Sequence, residues 1–144
     1  MRTKLSMAFI VILLSACATA YKPLGFTGGY SDTQLGDNIF QVSFRGNGHT
    51  SSERASDFSL LRSAELTLGH GFRYFVIVKS GEKSETSLHT AQATMYTDKS
   101  IYTISKPSAT NTILCYKEKP DVNGVVFDAE FVARSIRQKY SLKK

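Results

Sequence analysis

The chain lacks the sequence features that define membrane-spanning and nucleic-acid-binding proteins. Its longest almost wholly apolar segment, Leu5–Leu14, is about half as long as the roughly 20 residues that a membrane-spanning helix needs. No run of five or six Lys or Arg occurs, although the formal charge is +6, so a basic arm for nucleic acid is excluded. With 144 residues, 42% of them hydrophobic, the chain is predicted to form a single folded domain.

The N-terminal segment, residues 1–16, has the pattern of a bacterial export signal. Basic Arg2 and Lys4 precede the short apolar run. Leu14-Ser15-Ala16-Cys17 follows that run and resembles a lipobox, which implies cleavage before Cys17, a diacylglycerol on its thiol and acylation of the new amine. The alternative is an ordinary cleaved signal with an incidental cysteine. Ala18, where Gram-negative lipoproteins retained at the inner membrane have Asp, favours the periplasmic face of the outer membrane.

Lipidation of Cys17 has consequences for the rest of the chain. Cys115, the second of two cysteines, is left without an intramolecular disulfide partner. Loss of two basic residues with the signal lowers the formal charge from +6 to +4, which suits contact with anionic lipid or cell-wall polymer. Residues 17–37 contain many turn-forming residues and are predicted to be a lipidated cysteine with a tether and entry loop. Residues 38–144 are predicted to be a single periplasmic domain.

The pattern of this domain predicts the order β-α-β-β-β-α. Phe40, Val42 and Phe44 alternate with polar residues, which is typical of a strand with one buried face. The other predicted elements before the last helix are a central strand Phe72–Val78 covered on both faces, a polar loop Ser80–Ser87, a hairpin of Leu88–Thr97 and Ser100–Ser105 around Asp98-Lys99, a break at Pro107-Ser108 and a strand Thr110–Lys117.

Two amphipathic helices complete the predicted fold. The first is predicted to begin at a capping box of Thr50 and Glu53 and to bury a stripe that includes Phe58 and Leu68. The second is predicted to begin at the N-cap Asp128, with Phe127 and Val132 as a hydrophobic staple and with the apolar stripe Ala129, Val132, Ala133, Ile136 and Tyr140. The predicted class is α+β, a small mixed or antiparallel sheet of about four to five strands with two helices packed on one face.

Several short motifs together resemble one protein family. They are Tyr30-Ser31-Asp32-Thr33-Gln34-Leu35, Phe44-Arg45-Gly46-Asn47-Gly48, Ala64-Glu65-Leu66-Thr67-Leu68, Tyr74-Phe75-Val76-Ile77-Val78 and Asn111-Thr112-Ile113-Leu114-Cys115-Tyr116-Lys117. In this order they resemble a family of small proteobacterial envelope lipoproteins that have no assigned activity. The resemblance implies an envelope lipoprotein and supplies no catalytic residue.

One turn is a candidate ligand site. Gly46, Asn47, Gly48, Thr50 and Ser51 follow a predicted strand and open a predicted helix, as in a truncated dinucleotide-binding fingerprint. Ser51 replaces the third glycine of that fingerprint, so a tight strand-to-helix turn is the simpler interpretation. Backbone amides at the helix start nevertheless make an anion or small-ligand site a second interpretation.

Catalytic, metal and cofactor sites are not predicted. His49, His70 and His89 lie about twenty residues apart, and no HExxH or paired-cysteine spacing accompanies them. Cys115 beside a histidine would make a thiol nucleophile. Its place inside an apolar strand is more typical of a buried core thiol. No G-x-S-x-G motif occurs. An enzyme is therefore the third functional hypothesis.

Phe131 is the apolar residue that the predicted core does not explain. It lies on the side of the last helix opposite the apolar stripe, beside Arg134 and Arg137. Either these residues form a surface for a protein partner, or a neighbouring loop covers Phe131. The leading hypothesis is a non-enzymatic lipoprotein that contacts the bilayer through its acyl chains and an envelope protein through this surface, in envelope maintenance or assembly. The alternative is a binding module for a small ligand or cell-wall fragment.

The first prediction concerns the mature N-terminus. If Cys17 is acylated, mass spectrometry of the purified protein will show a chain that begins at Cys17 and carries the mass of a diacylglycerol and an additional acyl chain. A chain that begins at Ala18 or later without lipid, or that retains Met1, would contradict lipidation.

Overall fold

The computed structural model describes residues 18–92 and 99–143 as one sheet with two helices. The strands are β1 Gly29–Gly36, β2 Ile39–Arg45, β3 Tyr74–Gln92, β4 Lys99–Tyr116 and β5 Val126–Asp128, and the helices are α1 Ser52–Gly69 and α2 Ala129–Lys139. Every strand pairing is antiparallel, and the spatial order is β1-β2-β4-β3-β5. The predicted α+β class is confirmed. Cys17 and the predicted signal lie outside the described residues.

The hydrophobic core lies between one face of the sheet and the two helices, and α1 supplies most of its helical residues. The predicted alternation in β2 is confirmed, because Phe40, Val42 and Phe44 are all buried. The Phe44 ring meets the Phe58 ring of α1 edge-on, with 5.1 Å between centroids. Burying such side chains is the main favourable contribution to folding. The core therefore fixes α1 on the sheet, and residues 18–92 and 99–143 leave the opposite face of the sheet uncovered.

Helix α1 begins one residue later than its predicted capping box. Ser51 is the N-cap, and its hydroxyl accepts a hydrogen bond from the backbone N–H of Arg54 at 3.1 Å. The hydroxyl of Thr50 bonds to the chain before the helix instead. The predicted stripe is partly wrong as well, since Leu68 is 40% exposed and Leu66 is buried. Both differences arise because the contacts of neighbouring segments, rather than the helix alone, decide which residues turn inward.

The predicted tether, residues 17–37, is wrong over most of the part that the structure describes. Gly29–Gly36 is the edge strand β1, paired with β2 from Gly29 opposite Arg45 to Gly36 opposite Ile39. Asp37-Asn38 forms the tight connection between them. The side chains from Ser31 to Leu35 are exposed, so β1 has no buried alternation from which to recognise it. Its pairing with β2 makes it a strand.

Strands β3 and β4 are longer than predicted. The predicted loop Ser80–Ser87 lies inside β3, and the predicted break at Pro107-Ser108 lies inside β4. The carbonyl oxygen of Pro107 accepts from the N–H of Gly46 at 2.8 Å, so this oxygen points to the side of β4 on which β2 lies. The nitrogen and the carbonyl oxygen of one strand residue point to the same side, so the Pro107 nitrogen points there as well. Because the β2–β4 ladder ends at the Arg45–Ser108 pair, the missing N–H of proline costs no ladder hydrogen bond.

Beyond this point β3 and β4 continue alone as a two-stranded ribbon. Its pairs run from Ser84 opposite Pro107 to Gln92 opposite Lys99. This pairing confirms that the two predicted segments form a hairpin, but the predicted turn at Asp98-Lys99 is wrong, because Lys99 already pairs with Gln92. The predicted residues 93–98, including Asp98, lie outside the described residues. Lys99, which was expected in the turn, is the first residue of β4.

The central strand of the sheet is β4, so the predicted central position of Phe72–Val78 is wrong. The strand that contains most of these residues, β3, is fourth in the order. It pairs with β5 only between Tyr74 and Val76. Phe75 is fully buried, whereas Val78 is 58% exposed. The continuous apolar run therefore belongs to a strand with only one covered face.

Helix α2 forms as predicted and packs against α1 and β5. Asp128 is its N-cap and accepts hydrogen bonds from the N–H groups of Glu130 and Phe131, both at 3.1 Å. The N–H of Phe131, helped by Arg73, lowers the pKa of Asp128. Ala129, Val132, Ala133 and Ile136 are buried, which confirms those positions of the predicted stripe.

The second prediction separates the buried and exposed faces of α2. Ile136→Asp would bury a carboxylate without a partner at a position that is 7% exposed. We expect this variant to lose most of a total stability of about 5–15 kcal/mol. Phe131→Asp is the matched control, because Phe131 is 60% exposed, and it should melt near the wild-type temperature. Similar melting of both variants in circular dichroism would contradict the packing.

Candidate functional site

The N-terminal segment is fixed to the domain only two residues after Cys17. Thr19 is buried, and its N–H donates to the hydroxyl of Thr50 at 3.0 Å. The Thr19 hydroxyl accepts from the N–H of Asn47 at 2.9 Å and donates to the carbonyl of Thr27 at 2.9 Å. We call Thr19, Asn47 and Thr50 the Thr19 cluster. It joins the start of the described chain to the loop between β2 and α1.

Tyr21 strengthens this attachment. Its ring lies 4.8 Å from the Tyr30 ring and 5.3 Å from the Phe58 ring, centroid to centroid. Its hydroxyl donates to Glu65 of α1 at 2.5 Å. Burial, helped by the hydrogen bond to Glu65, raises the pKa of Tyr21, so the hydroxyl keeps its proton and remains a donor. Residues 19–21 are therefore part of the folded domain.

The predicted ligand turn coincides with this attachment. The N–H of Gly46 donates to Pro107, that of Asn47 to Thr19 and Thr50, and that of Thr50 to the Asn47 carbonyl. The Asn47 side-chain oxygen accepts from the N–H of His49 and from the Thr50 hydroxyl. Most of the amides expected to bind an anion therefore have partners within the chain, and the Ser51 hydroxyl caps α1.

The glycines of this turn are explained by close packing. A Cβ on Gly46 would lie 2.6 Å from the Cβ of Thr50, and a Cβ on Gly48 would lie 2.6 Å from the Cγ2 of Ile104. Either contact is too close for a larger residue. The glycines allow the loop to close on the Thr19 cluster and on β4, and a ligand is not needed to account for them.

The candidate catalytic and metal-binding residues remain separate. Cys115 is 1% exposed, which confirms it as a core residue, and its thiol lies 3.3 Å from the Thr67 hydroxyl. Burial raises the pKa of Cys115, so little reactive thiolate forms at neutral pH. His49 and His70 are exposed, and the side chain of His89 lies outside those described. Among the described residues, no three potential ligands come close enough to hold a metal.

Phe131 and Arg134 lie on the exposed side of α2, and with Arg137 they form what we call the Phe131 surface. The guanidinium carbon of Arg134 lies 5.7 Å from the centre of the Phe131 ring, a cation–π contact. Arg137 is held by Glu65 at 2.6 Å, so it lies at the side of the surface toward α1. The described residues do not cover Phe131, which contradicts the interpretation of a loop packed over it.

A groove between α1 and α2 continues the Phe131 surface. It encloses about 710 Å³ and is lined by both apolar and charged side chains, among them Leu68, Ala133, Arg134, Arg137 and Leu142. Leu68 and Leu142 were not predicted to belong to this surface. The helical wheel places Leu68 on the apolar stripe of α1, but whether Leu68 is buried or exposed depends on how α2 packs against α1. The groove shares Arg134 and Arg137 with the Phe131 surface, and Phe131 itself lies outside its lining.

The uncovered face of the sheet holds a second depression, of about 460 Å³. Small polar side chains of β2 and β4 form its floor, and three cations, Arg45, Lys79 and Lys83, line it together with Glu85. We call this region the open face. Sequence reasoning did not single it out, although Gln41, Ser43 and Arg45 alternate with the buried residues of β2 and so must point away from the core.

Comparison with known proteins supplies no assignment. No family model matches the chain, and no curated protein or solved structure matches it. The resemblance to proteobacterial envelope lipoproteins therefore stays a prediction. Within residues 18–92 and 99–143, neither helix is long and apolar enough to cross a membrane.

The third prediction concerns the reactivity of Cys115. Because the thiol is buried and its pKa is raised, a bulky maleimide should label the native protein slowly and the denatured protein quickly. Cys115→Ala should lower the free energy of unfolding by only about 1 kcal/mol, since it removes little more than a methyl-sized volume. Rapid labelling of the folded chain would instead indicate an accessible, reactive thiol.

Proposed function

We propose that this chain is a non-enzymatic, lipid-anchored lipoprotein on the periplasmic face of the outer membrane, where it acts in envelope maintenance or assembly through protein contacts. The motif Leu14-Ser15-Ala16-Cys17 supports the anchor. The exposed Phe131 beside the α1–α2 groove supports the protein contact and is the observation on which that part of the proposal rests.

The composition of the Phe131 surface favours a protein partner. Exposed aromatic and arginine side chains contribute a large share of the binding energy in protein interfaces. The surface offers one of each, Phe131 and Arg134, and they already contact each other. The Asp128 carboxylate caps the start of α2 by accepting hydrogen bonds from the N–H groups of Glu130 and Phe131, so the helix turn that presents Phe131 is formed before binding. A preformed site loses less entropy when a partner docks.

The open face supports the alternative of a binding module. Its floor combines hydroxyl and amide side chains with three cations and one carboxylate. Hydroxyl and amide groups bind sugar hydroxyls, and the cations favour anionic groups. A cell-wall fragment that carries carboxylates or phosphates has both kinds of group. This depression replaces the Gly46–Ser51 turn as the site for the alternative, because the turn is filled by the Thr19 cluster.

The fourth prediction tests the protein contact. In cells that produce the lipidated chain, mild cross-linking and purification should recover a stable protein partner with the wild type and lose it with Phe131→Asp. Leu35→Asp is the control, because Leu35 is an exposed apolar residue (55%) on the opposite edge strand β1. Both variants should melt near the wild-type temperature.

Two results would count against the adaptor proposal. If the partner is retained by Phe131→Asp, the Phe131 surface does not make the contact. If instead a small molecule copurifies with the wild type and is lost on Lys79→Glu, which alters only the open face, the binding-module alternative is favoured.

A further inference from the structure

The position of the Thr19 cluster limits how far the domain can lie from a lipid anchor. Thr19 is buried and bonded to Thr50, Asn47 and Thr27. Only two residue steps separate it from Cys17, and a fully extended chain spans at most about 7 Å over that interval. The headgroup layer on one side of a bilayer is of similar thickness, about 5–7 Å. A lipid on Cys17 would therefore hold this end of the domain against the headgroups.

An exposed aromatic turn lies at this same end. Gly25 and Gly28 exchange backbone hydrogen bonds of 3.1 Å, which places Phe26 and Thr27 at the tip of what we call the Phe26 turn. The Thr27 carbonyl accepts from the hydroxyl of Thr19, so the turn is fixed directly to a residue two positions from the anchor. The Phe26 side chain is fully exposed at 107%.

The surroundings of the Phe26 turn suit an anionic bilayer surface. An open depression of about 330 Å³ is lined by Leu24 and Phe26 together with Arg45, Lys106 and the single acid Glu85. Leu24 is 43% exposed. The ammonium group of Lys22 bonds to the hydroxyl of Thr27 at 2.7 Å, which adds a third cation at the tip. Apolar side chains among cations are the composition that binds the headgroup region of anionic membranes.

We infer that the Phe26 turn, with Leu24 and the cations Lys22, Arg45 and Lys106, lies on the bilayer that carries the anchor and gives the domain a fixed orientation there. The inference rests on the proposed lipidation of Cys17. Each cation near anionic lipid is expected to favour this contact about fivefold. The occupant of this surface is thus phospholipid, with Phe26 inserted among the headgroups.

The orientation also constrains the β3–β4 ribbon and the Phe131 surface. The ribbon begins at the same end, at Ser84 and Pro107, and an open two-stranded edge is not stable in hydrocarbon. In this orientation the ribbon therefore stays outside the hydrocarbon core of the bilayer. Phe131 follows β5, which is at the edge of the sheet opposite β1. Along the strand direction, the end of β4 that lies nearest to β5 is about 26 Å from Ser108. The Phe131 surface accordingly faces away from the membrane.

The fifth prediction uses the absence of tryptophan from the chain. Phe26→Trp and Phe131→Trp each introduce a single tryptophan at an exposed phenylalanine. The lipidated full chain of each variant is reconstituted into vesicles of phosphatidylcholine and phosphatidylglycerol whose acyl chains are brominated near the headgroup. We expect Phe26→Trp to lose most of its emission and to shift to the blue, and Phe131→Trp to keep the emission that it has in vesicles without bromine.

Mass spectrometry of the same samples distinguishes the possible failures. If Cys17 is acylated and Phe26→Trp is not quenched, or Phe131→Trp is quenched as strongly, the inferred orientation is wrong while the anchor stands. If Cys17 carries no lipid, the anchor itself is wrong and the orientation has no basis. Quenching of Phe26→Trp that is undiminished in vesicles of phosphatidylcholine alone would overturn the part assigned to Lys22, Arg45 and Lys106.

Discussion

The hydrogen bonds of Thr19 to Asn47 and Thr50 are the constraint on which the arrangement of this protein depends. They close the loop between β2 and α1 around the first residues of the described chain. Gly46 in that loop bonds to Pro107 of β4, so the N-terminal segment, the central strand and the first helix are fixed at one point. A buried polar cluster is stable only when its donors and acceptors are paired, and here the N–H and the hydroxyl of Thr19 both pair within the domain.

This attachment gives the domain two distinct ends. The N-terminal segment and the Phe26 turn lie beside Arg45 and Pro107, whereas the Phe131 surface lies beyond β5 at the other end and the other edge of the sheet. A lipoprotein built in this way would use one end for the bilayer and present the other to a protein partner. The single helix-covered face supplies the core, and the open face remains accessible between the two ends.

Local sequence patterns predict the elements whose structure is decided by residues that are close together in the sequence. The alternation of β2 and the cap and apolar stripe of α2 are of this kind, and so is Phe131, because the helical wheel alone places it outside the stripe. β1 has exposed side chains from Ser31 to Leu35, so only its pairing with β2 reveals it. Thr19 finds its partners 28 and 31 residues away, and no local pattern predicts this. For the same reason local sequence predicts the Gly46–Ser51 strand-to-helix turn but not the N-terminal segment that packs against it.

Amide hydrogen exchange at Thr19 in the full-length chain tests the central claim most directly. Because this N–H is buried and donates to the Thr50 hydroxyl, it is predicted to exchange as slowly as amides of the core strands, such as that of Ile113, which opens only when the domain unfolds. Exchange of the Thr19 amide at the rate of an unstructured peptide, while Ile113 stays protected, would show that the N-terminal segment is a free tether and would contradict the account.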